Sequence, residues 1–155
     1  EKGFDYMKGL HANINQYTKS GSAPIKAAAR GENTIGVAFL HGVVKQAVSG
    51  FPVDGVAPCE GTGYEIGSMS IIDGARNVDE AKMFYDWALS AKAQSEAWKV
   101  KSFQVPSNVS AESSPLAPDP ASINLIDYDF KLYGSSAERK RLLKKWDDEV
   151  SVLPQ

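Results

Sequence analysis

The order strand, helix, strand between Thr34 and Ala57 constrains this chain more than any other feature. Thr34 to Leu40 has the length and the Ile, Val and Phe content of a buried strand. A helix is expected from about Val43 to Val48, and Gly50-Phe51-Pro52 stops it. Val53 to Ala57 then reads as a second short strand. A strand–helix–strand unit of this kind argues for an α/β fold, in which helices cover the faces of a sheet.

The run that follows, Pro58 to Asn77, places a charged residue beside unhindered backbone. Glu60 precedes Gly61-Thr62-Gly63, whose glycines permit positive φ and let N–H groups approach a guest. A carboxylate at such a turn suits ligand hydroxyls or a cationic amine; the competing reading is a plain turn with an exposed Glu. Ile66 to Ile72 is a strand-sized apolar run, expected to be buried, and Asp73-Gly74 closes it. The spacing fits neither a P-loop nor a dinucleotide fingerprint, and no cofactor is expected. Cys59 is the only cysteine, so an intramolecular disulfide or a cysteine zinc site is ruled out.

Upstream, Phe4, Met7, Leu10, His11 and Ile14 fall at helical spacing and form a first amphipathic helix, in which His11 reads as structural. Ser22 reads as the N-cap of a second helix, with Pro24 in its first turn and Gly31 at its end. Thr18, Ser20, Gly21 and Ser22 thus gather hydroxyls and backbone donors at a helix start, where a phosphate or carboxylate would bind; the alternative is that Ser22 only caps. His41 directly follows the Thr34–Leu40 strand, the end that faces the ligand crevice in open α/β sheets.

Downstream, Asn77 to Leu89 is a helix with Ala81, Phe84, Tyr85 and Ala88 on its apolar side, and a short helix spans Lys92 to Trp98. Phe103 to Val105 has strand character, and Ser110 to Ser122 reads as a surface strap. Ser135 or Ser136 caps a last helix, Ala137 to Val150, with Leu142, Leu143, Trp146 and Val150 facing the protein.

Seventeen basic and nineteen acidic residues give a net charge of -2, which speaks against a nucleic-acid partner. No apolar stretch approaches the roughly 20 residues of a membrane span, so the chain is not expected to cross a membrane. Two histidines, no nucleophile elbow and no metal-ligand spacing leave little for an enzyme or a metal site. The opening, Glu1-Lys2-Gly3-Phe4-Asp5, has no initiator methionine and reads as the middle of a longer protein.

Several segments together resemble periplasmic solute-binding proteins of ABC importers, in the group that includes binders of ferric iron, sugar phosphates and phosphonates. They are Tyr17 to Pro24, Gly31-Glu32 with Ile35 to His41, Glu60 to Glu65, Lys82 to Ser90 and Tyr133 to Arg139. The resemblance implies the three-layer α/β lobe of a type II periplasmic binding protein plus part of a second lobe, with this chain as the C-terminal half. It implies that residues 1–72 form the core of the second lobe, 73–109 return to the first, and 110–155 strap back onto the second. The implied function is extracytoplasmic, non-enzymatic capture of a small anionic solute between two lobes, for delivery to an ABC transporter permease. Thr18, Ser20, Gly21 and Ser22 would hold the anion; His41, Glu60, Gly61 and Thr62 would read the rest of the solute. True ferric binders carry adjacent tyrosines where this chain has Phe39-Leu40-His41-Gly42, and sugar-phosphate-like members tend to have His-Asp there. The alternatives are a ferric-iron-binding protein of the same fold or the effector-sensing domain of a transcription regulator.

Overall fold

The computed structural model of the chain describes residues 2–154. Seven α-helices are found among them: α1 (Lys2–His11), α2 (Ala23–Ala29), α3 (Leu40–Val48), α4 (Val78–Leu89), α5 (Ala91–Glu96), α6 (Phe130–Tyr133) and α7 (Ser136–Glu149). Short 3-10 turns span Ala97–Val100 and Pro120–Ser122. The chain divides into two units, one from the described residues of Glu1–Lys19 with Asp127–Gln155, the other Ser20–Ile126.

In the first unit α1 and α7 are joined by polar and aromatic contacts. His11 is buried; its Nε2 lies 3.0 Å from the carbonyl of Leu153 and its Nδ1 3.1 Å from the Tyr17 hydroxyl. A carbonyl only accepts, so Nε2 carries a proton; in the Nε2–H tautomer Nδ1 accepts from Tyr17. The Trp146 ring meets Tyr17 edge-on at 5.1 Å, and Val150 is fully buried at the end of α7. Ser135 caps α7, its Oγ accepting from the Glu138 N–H at 3.2 Å. Leu143 departs from the sequence expectation: it is exposed, although it lies on the same side of α7 as buried Val150, two turns before it.

Glu149 ties the two helices through both carboxylate oxygens, to Lys145 at 2.6 Å and Lys8 at 2.8 Å. Hydrogen bonds from Lys145 and then Lys8 pull its carboxyl from an ordinary 4.5 down to about 2. The stabilisation is therefore complete above the unfolded carboxylate value and is lost as pH falls through the folded one. Thermal unfolding of Glu149→Gln between pH 7 and roughly 2 checks this: the variant should be less stable at neutral pH and converge on the wild type at the acid end. A constant gap across that range would overturn it.

In the second unit the segments expected as strands form no ladder among the described residues. Along Thr34–Leu40 the side chains alternate: Gly36, Ala38 and Leu40 are half-buried, whereas Ile35, Val37 and Phe39 are exposed. One face is therefore packed and the other bare, which corrects the expectation of a fully buried strand. Gly36 lies against the start of α2; a Cβ there would stand 2.6 Å from the Pro24 carbonyl oxygen. The run Ile66–Ile72, also expected to be buried, is exposed throughout. Among the described residues the β-pairing is one parallel bridge, Thr62 with Leu125. Strand chemistry sets a local preference, but a ladder needs a neighbouring strand, and the described residues of this chain give these segments none.

Further on, α4 has Ala81, Tyr85 and Ala88 half-buried, while Phe84, expected on the packed side, is exposed. Ser90 caps α5 by accepting from the Ala93 N–H at 3.2 Å. The strap is anchored on α5: the Glu112 N–H donates to Ser95 Oγ at 2.7 Å and the Asn108 N–H to Gln94 Oε1 at 2.9 Å. Phe103 is buried, without a strand ladder. Buried apolar residues among those described are few: Ile25, Ala29, Phe103 and Val150.

Candidate functional site

The turn leading into α2 holds Ser20, Gly21 and Ser22. The Ala23 N–H donates to the Ser20 carbonyl at 3.2 Å, and the Ser20 and Ser22 hydroxyls are 3.2 Å apart. Ser22 occupies the N-cap position, yet its side chain accepts no bond from the helix. Its backbone is already helical there (φ -96°, ψ -10°), so the extended geometry that turns a serine hydroxyl onto the helix N–H groups is missing. The capping alternative is therefore not what the hydroxyl does. Pro24 follows in the first turn, where its missing N–H is harmless.

His41 lies one helical turn deeper than the sequence suggests. α3 starts at Leu40 rather than near Val43, with extended Phe39 (φ -79°, ψ 136°) as its N-cap and the Gly42 N–H donating to the Phe39 carbonyl at 2.9 Å. The imidazole stacks on the Phe39 ring at 5.5 Å between centroids, 19° from parallel. Partial burial lowers its pKa from the ordinary histidine value, so at neutral pH it is the uncharged ring, with one donor and one acceptor. Phe39 also packs against Gly21, where an added Cβ would be 3.1 Å from the ring. The structure thus brings Gly21 and His41 to one aromatic ring, and Phe39 is a candidate site residue that sequence reasoning missed. Its signal was an aromatic side chain at the junction of an extended run and a helix.

Glu60, Gly61 and Thr62 form a second cluster. A turn closes by the Gly61 N–H donating to the Pro58 carbonyl at 3.1 Å, and Gly61 has φ +124°, a region that disfavours any side chain. Thr62 is fixed by the Asn124–Ile126 segment: its N–H donates to the Asn124 carbonyl at 2.9 Å and its carbonyl accepts from the Ile126 N–H at 3.1 Å. The Asn124 side chain also donates to the Cys59 carbonyl at 3.0 Å. The Glu60 carboxyl is held below its ordinary value, first by its own backbone N–H and then by the Cys59 thiol, 3.4 Å away; it is ionised and exposed. Cys59 itself is exposed, with a free thiol.

Thr18 falls in the unit that ends at Lys19, and the other seven expected site residues fall in the unit from Ser20 to Ile126. Two clefts are lined by other residues: one of about 380 Å³ by His11, Tyr17 and Trp146, and one of about 360 Å³ by apolar side chains including Leu40, Val43, Leu116 and Ile123. Among the described residues no three His, Cys, Asp or Glu side chains gather where a metal ion would sit. No helix is long and apolar enough to cross a membrane.

The chain as a whole has structural counterparts. The chain superposes on the periplasmic binding protein AfuA from Actinobacillus pleuropneumoniae, solved with exogenous fructose-6-phosphate bound, at a TM-score of 0.92 and 54% identity over 98% of its length. The chain matches about half of a periplasmic binding protein. It covers 48% of AfuA and likewise 48% of the periplasmic binding protein P5PA, which it matches at a TM-score of 0.89 and 40% identity over 97% of its own length. An uncharacterized protein of Haemophilus influenzae is 52% identical over 153 residues, which are 98% of this chain and 44% of that protein. The chain thus spans about half the length of these relatives. No protein-family model matches it.

Proposed function

We propose that this chain is the C-terminal half of the extracytoplasmic, non-enzymatic substrate-binding component of an ABC importer, which captures a small phosphorylated sugar or phosphonate-like anion between two lobes. The single observation that carries the reading is the 54% identity, at a TM-score of 0.92, to a periplasmic binding protein with fructose-6-phosphate bound. The layout of the candidate site supports it. The hydroxyls of Thr18, Ser20 and Ser22 and the backbone at Gly21 suit phosphate oxygens, which accept hydrogen bonds. Neutral His41 offers a donor and an acceptor to sugar hydroxyls without competing for the anion. Ionised Glu60, with Gly61 and Thr62, takes hydroxyl donors at the crossing between lobes.

In the two-lobed protein residues 1–72 belong to the second, three-layer α/β lobe of type II architecture, 73–109 to the first, and 110–155 pack back on the second. A solute touching both lobes favours the closed state by its differential contacts, and a permease then reads that state. Titration calorimetry of the two-lobed protein against fructose 6-phosphate, a phosphonate, fructose and ferric ion tests the reading. Binding of the phosphorylated or phosphonate solute, with at least roughly 100-fold weaker binding of fructose, is expected. Tight ferric binding with no affinity for organic anions would sink it.

A further inference from the structure

We infer that His11 is a positioning residue for the candidate solute site: it ties the last turn of the chain to Tyr17 and so fixes the segment that presents the Thr18 hydroxyl. That segment, residues 12–19 after α1, contains neither helix nor strand. Its path is therefore set by turns and side-chain anchors and not by a ladder. At its start the Asn13 and Ile14 N–H groups donate to the Leu10 and His11 carbonyls at 2.9 Å and 3.2 Å. Beyond them Tyr17 is the anchor. Its hydroxyl lies 3.1 Å from His11 Nδ1, its ring stacks on the imidazole at 5.6 Å and the Trp146 ring meets it edge-on at 5.1 Å.

These directional contacts count for more here than burial. Tyr17 is 43% exposed, so the exclusion of water that pins a core residue is weak for it. The cleft of about 380 Å³ lined by His11, Tyr17 and Trp146 also leaves open space beside the ring. Steric confinement is thus incomplete, and the hydroxyl bond supplies the constraint that packing does not.

His11 suits the task because its own position is set from several sides. It is 3% exposed, stands at the end of α1, and its Nε2 donates to the Leu153 carbonyl at 3.0 Å. Leu153 is held in turn, its N–H donating at 3.0 Å to the carbonyl of fully buried Val150. Both ring nitrogens are committed, one to the segment after α1 and one to the end of the chain, so the imidazole cannot rotate without breaking both bonds. Adjacent Cα atoms stand about 3.8 Å apart across a planar peptide, and a fixed Tyr17 therefore passes its placement to Thr18 in one step. The anchor stands on contacts within the first unit, whereas its effect on solute affinity rests on the role proposed above for Thr18.

NMR relaxation and titration calorimetry on the two-lobed protein test this with two changes, Tyr17→Phe and a chain ended at Val152, neither of which touches a candidate site residue. In the solute-free parent the backbone order parameters of Thr18 and Lys19 should be near about 0.85, and either change should bring them below about 0.6 while those of α7 stay as they were. Toward fructose 6-phosphate each change should weaken binding about fivefold. With Thr18→Val already in place, Tyr17→Phe should alter affinity less than about twofold, because a residue that acts through Thr18 then has nothing further to lose. A lower melting temperature with unchanged order at Thr18 and Lys19, or full additivity of Tyr17→Phe with Thr18→Val, would overturn the proposal and reduce His11 to core packing. A two-lobed protein that binds none of the solutes yet loses order at Thr18 and Lys19 on these changes would fail the functional reading and uphold the anchor.

Discussion

Replacing Ser22 by aspartate is expected to weaken binding of fructose 6-phosphate to the two-lobed protein at least about 100-fold, with thermal stability unchanged or slightly raised. The two halves of that expectation come from different physics. At present the Ser22 hydroxyl sits 3.2 Å from that of Ser20 and gives nothing to α2. The serine makes no cap bond that the change would remove, and an aspartate there complements the positive end of the helix, so the fold has no reason to suffer. A bound phosphate would meet that carboxylate as a like charge, at a cost of several kcal/mol, and each 1.4 kcal/mol is about tenfold in affinity. Calorimetry and a melting curve on the same sample separate the terms. Affinity within about threefold of wild type, a change of under about 0.7 kcal/mol, would remove Ser22 from the anion site.

The largest stability effect is expected at Gly36. Alanine there should cost about 1–3 kcal/mol, seen as a lower urea midpoint at unchanged slope. Its Cβ would stand 2.6 Å from the Pro24 carbonyl oxygen and 2.9 Å from the carbonyl carbon. These are backbone atoms at the start of α2 and cannot rotate aside, so relief requires moving the helix on which buried Ile25 sits. Gly63→Ala is the control: an added Cβ meets nothing within 4 Å, and the change should stay within about 0.5 kcal/mol. Equal effects at the two glycines would show that the close approach of Thr34–Leu40 to α2 does not matter.

The helices were legible because their signals are local. The stripe Phe4, Met7, Leu10 led to α1, and the cap at Ser135 led to α7. The start of α3 was misplaced because Gly42 reads as an interruption, whereas extended Phe39 supplies the entry and the glycine sits inside the first turn. The extended segments were legible in composition and misread in burial. Ile66, Ile71 and Ile72 state that they require cover; they do not state that the cover belongs to the same stretch of chain. The candidate site was half legible for a similar reason. Hydroxyls beside glycine and a histidine at the end of an extended run are visible one residue at a time, but the packing of Phe39 against Gly21 and His41 is a tertiary fact.

That shared ring has a consequence for selectivity. Because the Phe39 side chain lies against both the hydroxyl turn and the imidazole, the gap between them is set by the thickness of an aromatic ring and not by the path of the backbone. In the proposed solute site residue 39 would therefore gauge the length of the solute: a smaller side chain there would alter which molecules fit without touching any group proposed to bond to them.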